Sequence, residues 1–93
     1  MRVELPAKLV YEDRPWGSFV EFEHRPWYKL KKLSVSPGCR LSYQKHEHRS
    51  EFWAIVLGRA FVTLDGKVLE KDPGAFLWIL AGIPHRVENK GLG

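Results

Sequence analysis

Apolar positions along the 93 residues come in short bursts broken by turn residues, and seldom with helical spacing. Runs rich in aromatic and branched residues lie near 18–23, 28–35, 40–44, 51–57, 59–64, 67–70, 75–80 and 85–89, and each reads as a strand. Between them fall turn residues: Pro15 and Gly17, Pro26, the Ser-Pro-Gly at 36–38, Gly58, Asp65-Gly66, the Asp-Pro-Gly at 72–74 and the Ala-Gly-Ile-Pro at 81–84. Short strands with a turn about every ten residues predict an all-β sandwich or barrel. No stretch holds a helical apolar period beyond about two turns, so little helix is expected. In FVTLDGKVLE, Asp-Gly suits a two-residue hairpin turn that needs positive φ, and this turn is expected to lie far from any site. The triplet Arg-Pro-Trp occurs at 14–16 and 25–27. Two copies make no repeat architecture, and Trp beside a turn proline reads as core filling. Trp53 and Trp78 also read as core, whereas Trp16 has the best claim to partial exposure.

Composition narrows this picture. A chain that is 44% hydrophobic and 13% aromatic is expected to fold as one domain over residues 1–93, with a modest core. The net charge of +4 is spread along the chain, and its densest run is Lys29-Leu30-Lys31-Lys32. No basic helix, zinc-finger spacing or RNA-recognition motif accompanies it, so nucleic acid is not expected as a partner. A phosphorylated small molecule suits scattered positive charge better. No apolar run approaches the roughly 20 residues of a membrane span, so no membrane partner is expected. The single Cys39 excludes an internal disulfide, and the N-terminus lacks a signal-peptide pattern. Cytoplasmic placement follows as the expectation.

Chemistry concentrates in LSYQKHEHRSEFW, residues 41–53. If the strand through Gln44 continues, Gln44, His46 and His48 share one face and Glu47 faces away. Glu51 then follows a turn-like Arg49-Ser50 and swings back. Imidazole nitrogens and a carboxylate suit Zn, Mn, Fe or Ni as divalent ions. Taken alone, the segment reads equally well as a solvated polar loop. A second segment, GAFLWILAGIPHRVEN at 74–89, places His85 directly after a Gly-Pro turn, where a barrel mouth would lie.

The two segments resemble the paired cupin motifs. Gly38, Gln44, His46, Glu51 and Gly58 match the spacing of the first, with Gln44 in a histidine's place. Gly74, Leu80, Gly82, His85 and Asn89 match the second, with Leu80 in a proline's place. The stretches RPWGSF, PGCRLSYQKHEHRSEFW, GRAFVTLDGK and AGIPHRVEN are similar to the C-terminal cupin domain of type II phosphomannose isomerases, over roughly residues 10–93. In many of those proteins this domain is fused to a mannose-1-phosphate guanylyltransferase.

The resemblance implies a small antiparallel β-barrel (cupin, jelly roll) holding one divalent metal ion (Zn, Mn, Fe, Co or Ni) on Gln44, His46, Glu51 and His85. It also implies aldose–ketose isomerisation of mannose 6-phosphate to fructose 6-phosphate, in which a bound ion polarises the sugar carbonyl while a base moves a proton. His48 is the first candidate for that base, because it lies two positions from His46; its other reading is a solvent-facing side chain. Lys31 is a further candidate, on a strand face with Leu33 and Val35, against a solvated lysine. Arg49 and Arg86, beside ligands in sequence, are the candidate phosphate-binding residues, against rim ion pairs. No nucleotidyltransferase precedes the cupin here, so guanylyl transfer is not expected. The family usually continues beyond Gly93, which predicts an open strand edge after Asn89 and a homodimer formed through it. Two other functions stay open: a non-catalytic sugar-binding or regulatory cupin, and an iron-dependent dioxygenase.

Overall fold

The computed structural model describes residues 9–91. Every regular element among them is a strand: β1 (Val10–Arg14), β2 (Gly17–Arg25), β3 (Tyr28–Val35), β4 (Glu51–Ala54), β5 (Ala60–Leu64), β6 (Lys67–Lys71), β7 (Phe76–Ile79) and β8 (His85–Glu88). No helix long and apolar enough to cross a membrane is present among the described residues. The chain divides after Val35 into two compact units.

The first unit is the antiparallel sheet β1-β2-β3. β1 was not expected as a strand. Its Glu12-Asp13-Arg14 lacks an apolar face, and Val10 and Tyr11 are exposed. It forms because it pairs with β2 from Val10↔Glu21 to Arg14↔Gly17, and pairing does not require burial. The two Arg-Pro-Trp triplets are hairpin devices. Arg14↔Gly17 and Arg25↔Tyr28 close loops whose central residues are Pro15-Trp16 and Pro26-Trp27. Trp16 is partly exposed, as expected, but Trp27 is 78% exposed, so the core-filling reading fails there.

The second unit contains the sheets β4-β7 and β6-β5-β8. Alternation sorts their faces. On β4-β7, Glu51, Trp53, Leu77 and Ile79 share the inner side and Phe52, Phe76 and Trp78 the outer. On the other sheet, Val62, Val87 and His85 face inward. Val62 and Ile79, nearly without solvent contact, mark the centre of this core. Trp78 was expected inside. One register step places it on the outer face, 63% exposed, with its ring 4.9 Å from that of Phe52. The expected strand 51–57 stops at Ala54. Ile55 still exchanges backbone hydrogen bonds with Gly74 and Ala75, after which Val56 and Leu57 are strongly exposed ahead of Gly58.

Residues 40–44 form no regular strand but run along the free side of β8 through isolated bridges, Arg40↔Glu88 and Gln44↔His85. The step from Arg40 to Gln44 is one residue longer than the step from Glu88 to His85. That extra residue is a bulge, and it reverses which side chains face inward. Arg40 lies opposite outward Glu88, while Gln44 lies opposite inward His85. Just past β8, the main chain of Asn89 is bonded to Gly38 and Cys39. Asn89 N donates to Cys39 O at 2.9 Å, and Gly38 N donates to Asn89 O at 2.7 Å.

Candidate metal centre

Two segments with different backbones meet at one point. His85 opens β8 and is 5% exposed. Its main chain exchanges two hydrogen bonds with Gln44, of 3.0 and 2.7 Å. The Gly82 turn (φ +84°) that precedes it is tied to the other segment: Gly82 N donates to His46 O at 2.8 Å and Ala81 N to Ser50 Oγ at 3.0 Å. Gly82 supplies a backbone conformation that side chains with a Cβ rarely adopt. The two motifs are thus fastened to each other by backbone groups and the Ser50 hydroxyl before any ligand atom is considered.

The Asp65-Gly66 hairpin takes part in this fastening. Asp65 (φ 49°) and Gly66 (φ 80°) form the expected positive-φ turn. Its expected remoteness is wrong, however. Leu64 is paired with His85, and Asp65 N donates to Pro84 O at 2.9 Å. The hairpin reaches the site because β5 and β8 are neighbours, a pairing that local turn chemistry does not specify.

His46, Glu51 and His85 each present one donor atom, all within 4.8 Å of one another. His46 Nε2 lies 3.2 Å and His85 Nε2 3.6 Å from Glu51 Oε2. Donors around a transition metal with bonds of about 2.0–2.2 Å stand about 2.9–3.5 Å apart, so these spacings are close to those of a filled site. The far side of each group is already engaged. His85 Nδ1 lies 2.9 Å from Ile83 O, and a carbonyl only accepts, so the proton sits on Nδ1 and the Nε2 lone pair faces the cluster. The Trp53 indole donates to Glu51 Oε1 at 2.9 Å, which leaves Oε2 for the cluster. The donor chemistry therefore fits a divalent ion. Burial works to raise the Glu51 pKa, but the Trp53 hydrogen bond and the electrostatic pull of the neighbouring His85, Arg49 and His46 outweigh it. The carboxyl is held below its ordinary value.

The remaining expected residues are held by different parts of the backbone. Gln44 is placed by the bridge on the face of His85, and its amide Nε2 donates to Ser42 Oγ at 2.5 Å. His48 lies exposed in a bend and is outside the three-residue cluster. The strand whose alternation aimed it inward does not continue past Gln44. Arg49 enters the cluster itself, with Nη2 2.9 Å from His46 Nε2 and Nε 3.4 Å from Glu51 Oε2. Arg86 points to the other side of β8 from His85, as alternation requires, with its guanidinium 5.7 Å from the Tyr43 ring and its Nε buried without a hydrogen-bond partner. Lys31 belongs to the first unit, exposed, its ammonium 4.7 Å from the Phe19 ring centre. Sequence reasoning assigned Trp53 to the core alone and missed its hold on Glu51. The signal was there: two residues apart on a strand, both side chains share a face.

Antiparallel sheets with two histidines and a glutamate gathered from two separated motifs define a cupin. The chain belongs to the family described as mannose-6-phosphate isomerase C-terminal, whose sequence model matches residues 6–92. It is 38% identical over 78 residues to a mannose-1-phosphate guanylyltransferase of Escherichia coli K12, covering 84% of this chain and 16% of that protein. It is 38% identical over 78 residues to the alginate biosynthesis protein AlgA of Pseudomonas aeruginosa, with the same coverage. The chain thus spans about a sixth of the length of these relatives. Among solved structures, KdgF from a Halomonas species superposes with a TM-score of 0.77 at 19% identity, over 84% of this chain and 72% of that one. A predicted oxalate decarboxylase from Thermotoga maritima superposes at 0.62 and 20% identity, over 94% of this chain and 83% of that one. These two likenesses establish the fold.

Proposed function

We propose that this domain is a metal-dependent isomerase of mannose 6-phosphate and fructose 6-phosphate, holding one divalent ion on His46, Glu51, His85 and Gln44. The observation that carries this reading is the convergence of His46 Nε2, Glu51 Oε2 and His85 Nε2, with His85 and Glu51 each held from behind by a hydrogen bond. Bound there, a divalent ion supplies Lewis acidity toward a sugar carbonyl. The protein's part is to fix the donors: Ile83 O orients the His85 ring, and Trp53 orients the carboxylate. One carboxylate among neutral donors leaves a bound ion net positive charge, which suits an electron-rich transition state. His48, exposed two residues beyond His46, is the proposed proton-moving residue. Family membership supports the substrate class.

The test is production of fructose 6-phosphate from mannose 6-phosphate by the purified chain after metal add-back. Turnover that chelator abolishes and fresh metal restores is the expected result; no turnover by the metal-loaded protein would remove the isomerase reading. A second reading is favoured by the relatives being named guanylyltransferases and not isomerases. In it, the domain binds the sugar phosphate without turning it over. Metal-dependent calorimetric binding without turnover identifies that case. Cytoplasmic residence and a homodimer complete the proposal. A light-scattering mass above the monomer's 10.8 kDa checks the dimer.

A further inference from the structure

We propose that Arg49 is a built-in counter-cation of the metal-free site, which a divalent ion must displace in order to bind. The proposal rests on the metal-site reading above. Its basis is a conflict over one lone pair. Arg49 is donor-only, so its Nη2 at 2.9 Å makes His46 Nε2 the acceptor. In the neutral imidazole that nitrogen has a single lone pair, and it is the same one a metal needs. The guanidinium and a metal ion cannot share it.

The geometry also explains why a cation sits there at all. His46 Nε2 and Glu51 Oε2, both acceptors in this arrangement, are 3.2 Å apart. Two acceptors that close are unfavourable unless positive charge lies between or beside them. Arg49 supplies it, donating to His46 while its Nε stands 3.4 Å from Glu51 Oε2. Its side chain as a whole is about half exposed, so it lies on the solvent side of the cluster and has room to swing out. Neither its position two residues before Glu51 nor its charge alone implies this role; the contact with His46 Nε2 does.

Two consequences are measurable without any turnover assay. The metal-free protein owes part of its stability to Arg49, whereas the metal-loaded protein does not. The affinity for metal is lowered by the work of moving Arg49 aside. Arg49→Gln is therefore expected to bind zinc about three- to tenfold more tightly than the wild type, in competition with a chromophoric chelator. The same substitution should lower the melting temperature of the metal-free protein and leave that of the zinc-loaded protein within about a degree.

The paired melts separate this idea from simple charge repulsion. If Arg49 only repelled the ion from a distance, its removal would raise the melting temperature of the loaded form and leave the metal-free form unchanged, and that outcome overturns the proposal. Equal zinc affinity in the two proteins overturns it as well, while leaving the metal site intact. No zinc binding by the wild type would instead overturn the metal site itself, and the proposal with it. Should Arg49→Gln fail to fold, the wild type labelled with ¹⁵N still decides. The Arg49 Nε–H resonance must be distinct in the metal-free protein and shift to the position of a solvated arginine on addition of one equivalent of zinc. A resonance that zinc leaves in place overturns the proposal.

Discussion

His85 and His46 bring imidazole nitrogens to the same few ångströms from opposite kinds of backbone. His85 is on a strand and buried, doubly hydrogen-bonded to Gln44 through its main chain and oriented by Ile83 O. His46 is on an irregular segment, about a quarter exposed, its carbonyl receiving Gly82 N and its ring facing Arg49. One wall of the site is set by the sheet and the core. The other is a loop carrying several polar residues, and it is fastened to the first by main-chain bonds. A site built this way has one fixed imidazole beside a set of donor groups with a less regular backbone.

The largest test of that contrast compares two alanine substitutions. His85→Ala should abolish measurable metal binding, a loss beyond about a thousandfold. It should also lower the melting temperature of the metal-free protein by about ten degrees, because it opens a hole against Trp53 and the core. His46→Ala should lose comparable metal affinity but change metal-free stability by no more than about three degrees. Calorimetric metal titration and thermal melts on both variants check this. Equal destabilisation would show that the two walls are equally rigid.

A subtler test addresses how the carboxylate on β4 is held. Trp53→Phe keeps the ring that meets His85 edge-on, with centres 5.6 Å apart, but removes the indole donor to Glu51 Oε1. Loss of such a supporting hydrogen bond typically lowers metal affinity about ten- to hundredfold. Retained affinity would mean that β4 alone orients Glu51.

The same contrast explains what the sequence made legible. The place of the strand-borne histidine was readable. His85 follows a Gly-Pro turn, its spacing to Gly82 and Asn89 matches a family motif, and alternation alone separates it from Arg86. Arg86 was linked to the site by sequence adjacency, whereas strand parity puts its side chain on the other side of β8 from His85. The loop-borne residues were readable as a set but not in their directions. His48 was aimed inward by extending a strand that ends in a bulge and a bend, and Arg49 was sent to the rim although its shortest reach is to His46 and Glu51. Trp78 failed for another reason: composition identifies an aromatic as core material, but only the register of β4 with β7 decides its face. β1 escaped notice because hairpin pairing leaves no apolar pattern.

A smaller effect concerns acid. Glu51 has a pKa held below its ordinary 4.5, so its native interactions stabilise the metal-free fold fully above about pH 4.5. That contribution fades as pH falls through the depressed native value. In Glu51→Gln it is absent at every pH. The melting-temperature gap between wild type and variant should therefore be widest near neutral pH and close steadily below pH 4.5. A gap that stays constant down to pH 3 would mean that Glu51 gains nothing from Trp53, His85, Arg49 and His46.

The smallest expected effect on the metal, and the sharpest on the chemistry, is that of His48→Ala. Unlike His46, His48 shares no donor geometry with Glu51 and His85, and it stands exposed in the bend at 47–48. Its exposure means that little burial is lost with it. Its replacement should change metal affinity less than about twofold and melting temperature by less than about a degree, within the usual range for surface substitutions. Removal of a proton-transferring side chain, by contrast, typically lowers turnover about a hundred- to ten-thousandfold. In the metal-loaded variant, turnover should fall on that scale with metal content unchanged. Metal loss in His48→Ala would make His48 a ligand. Full turnover with full metal content would shift the proton transfer to another side chain and leave His48 a solvated residue of the loop.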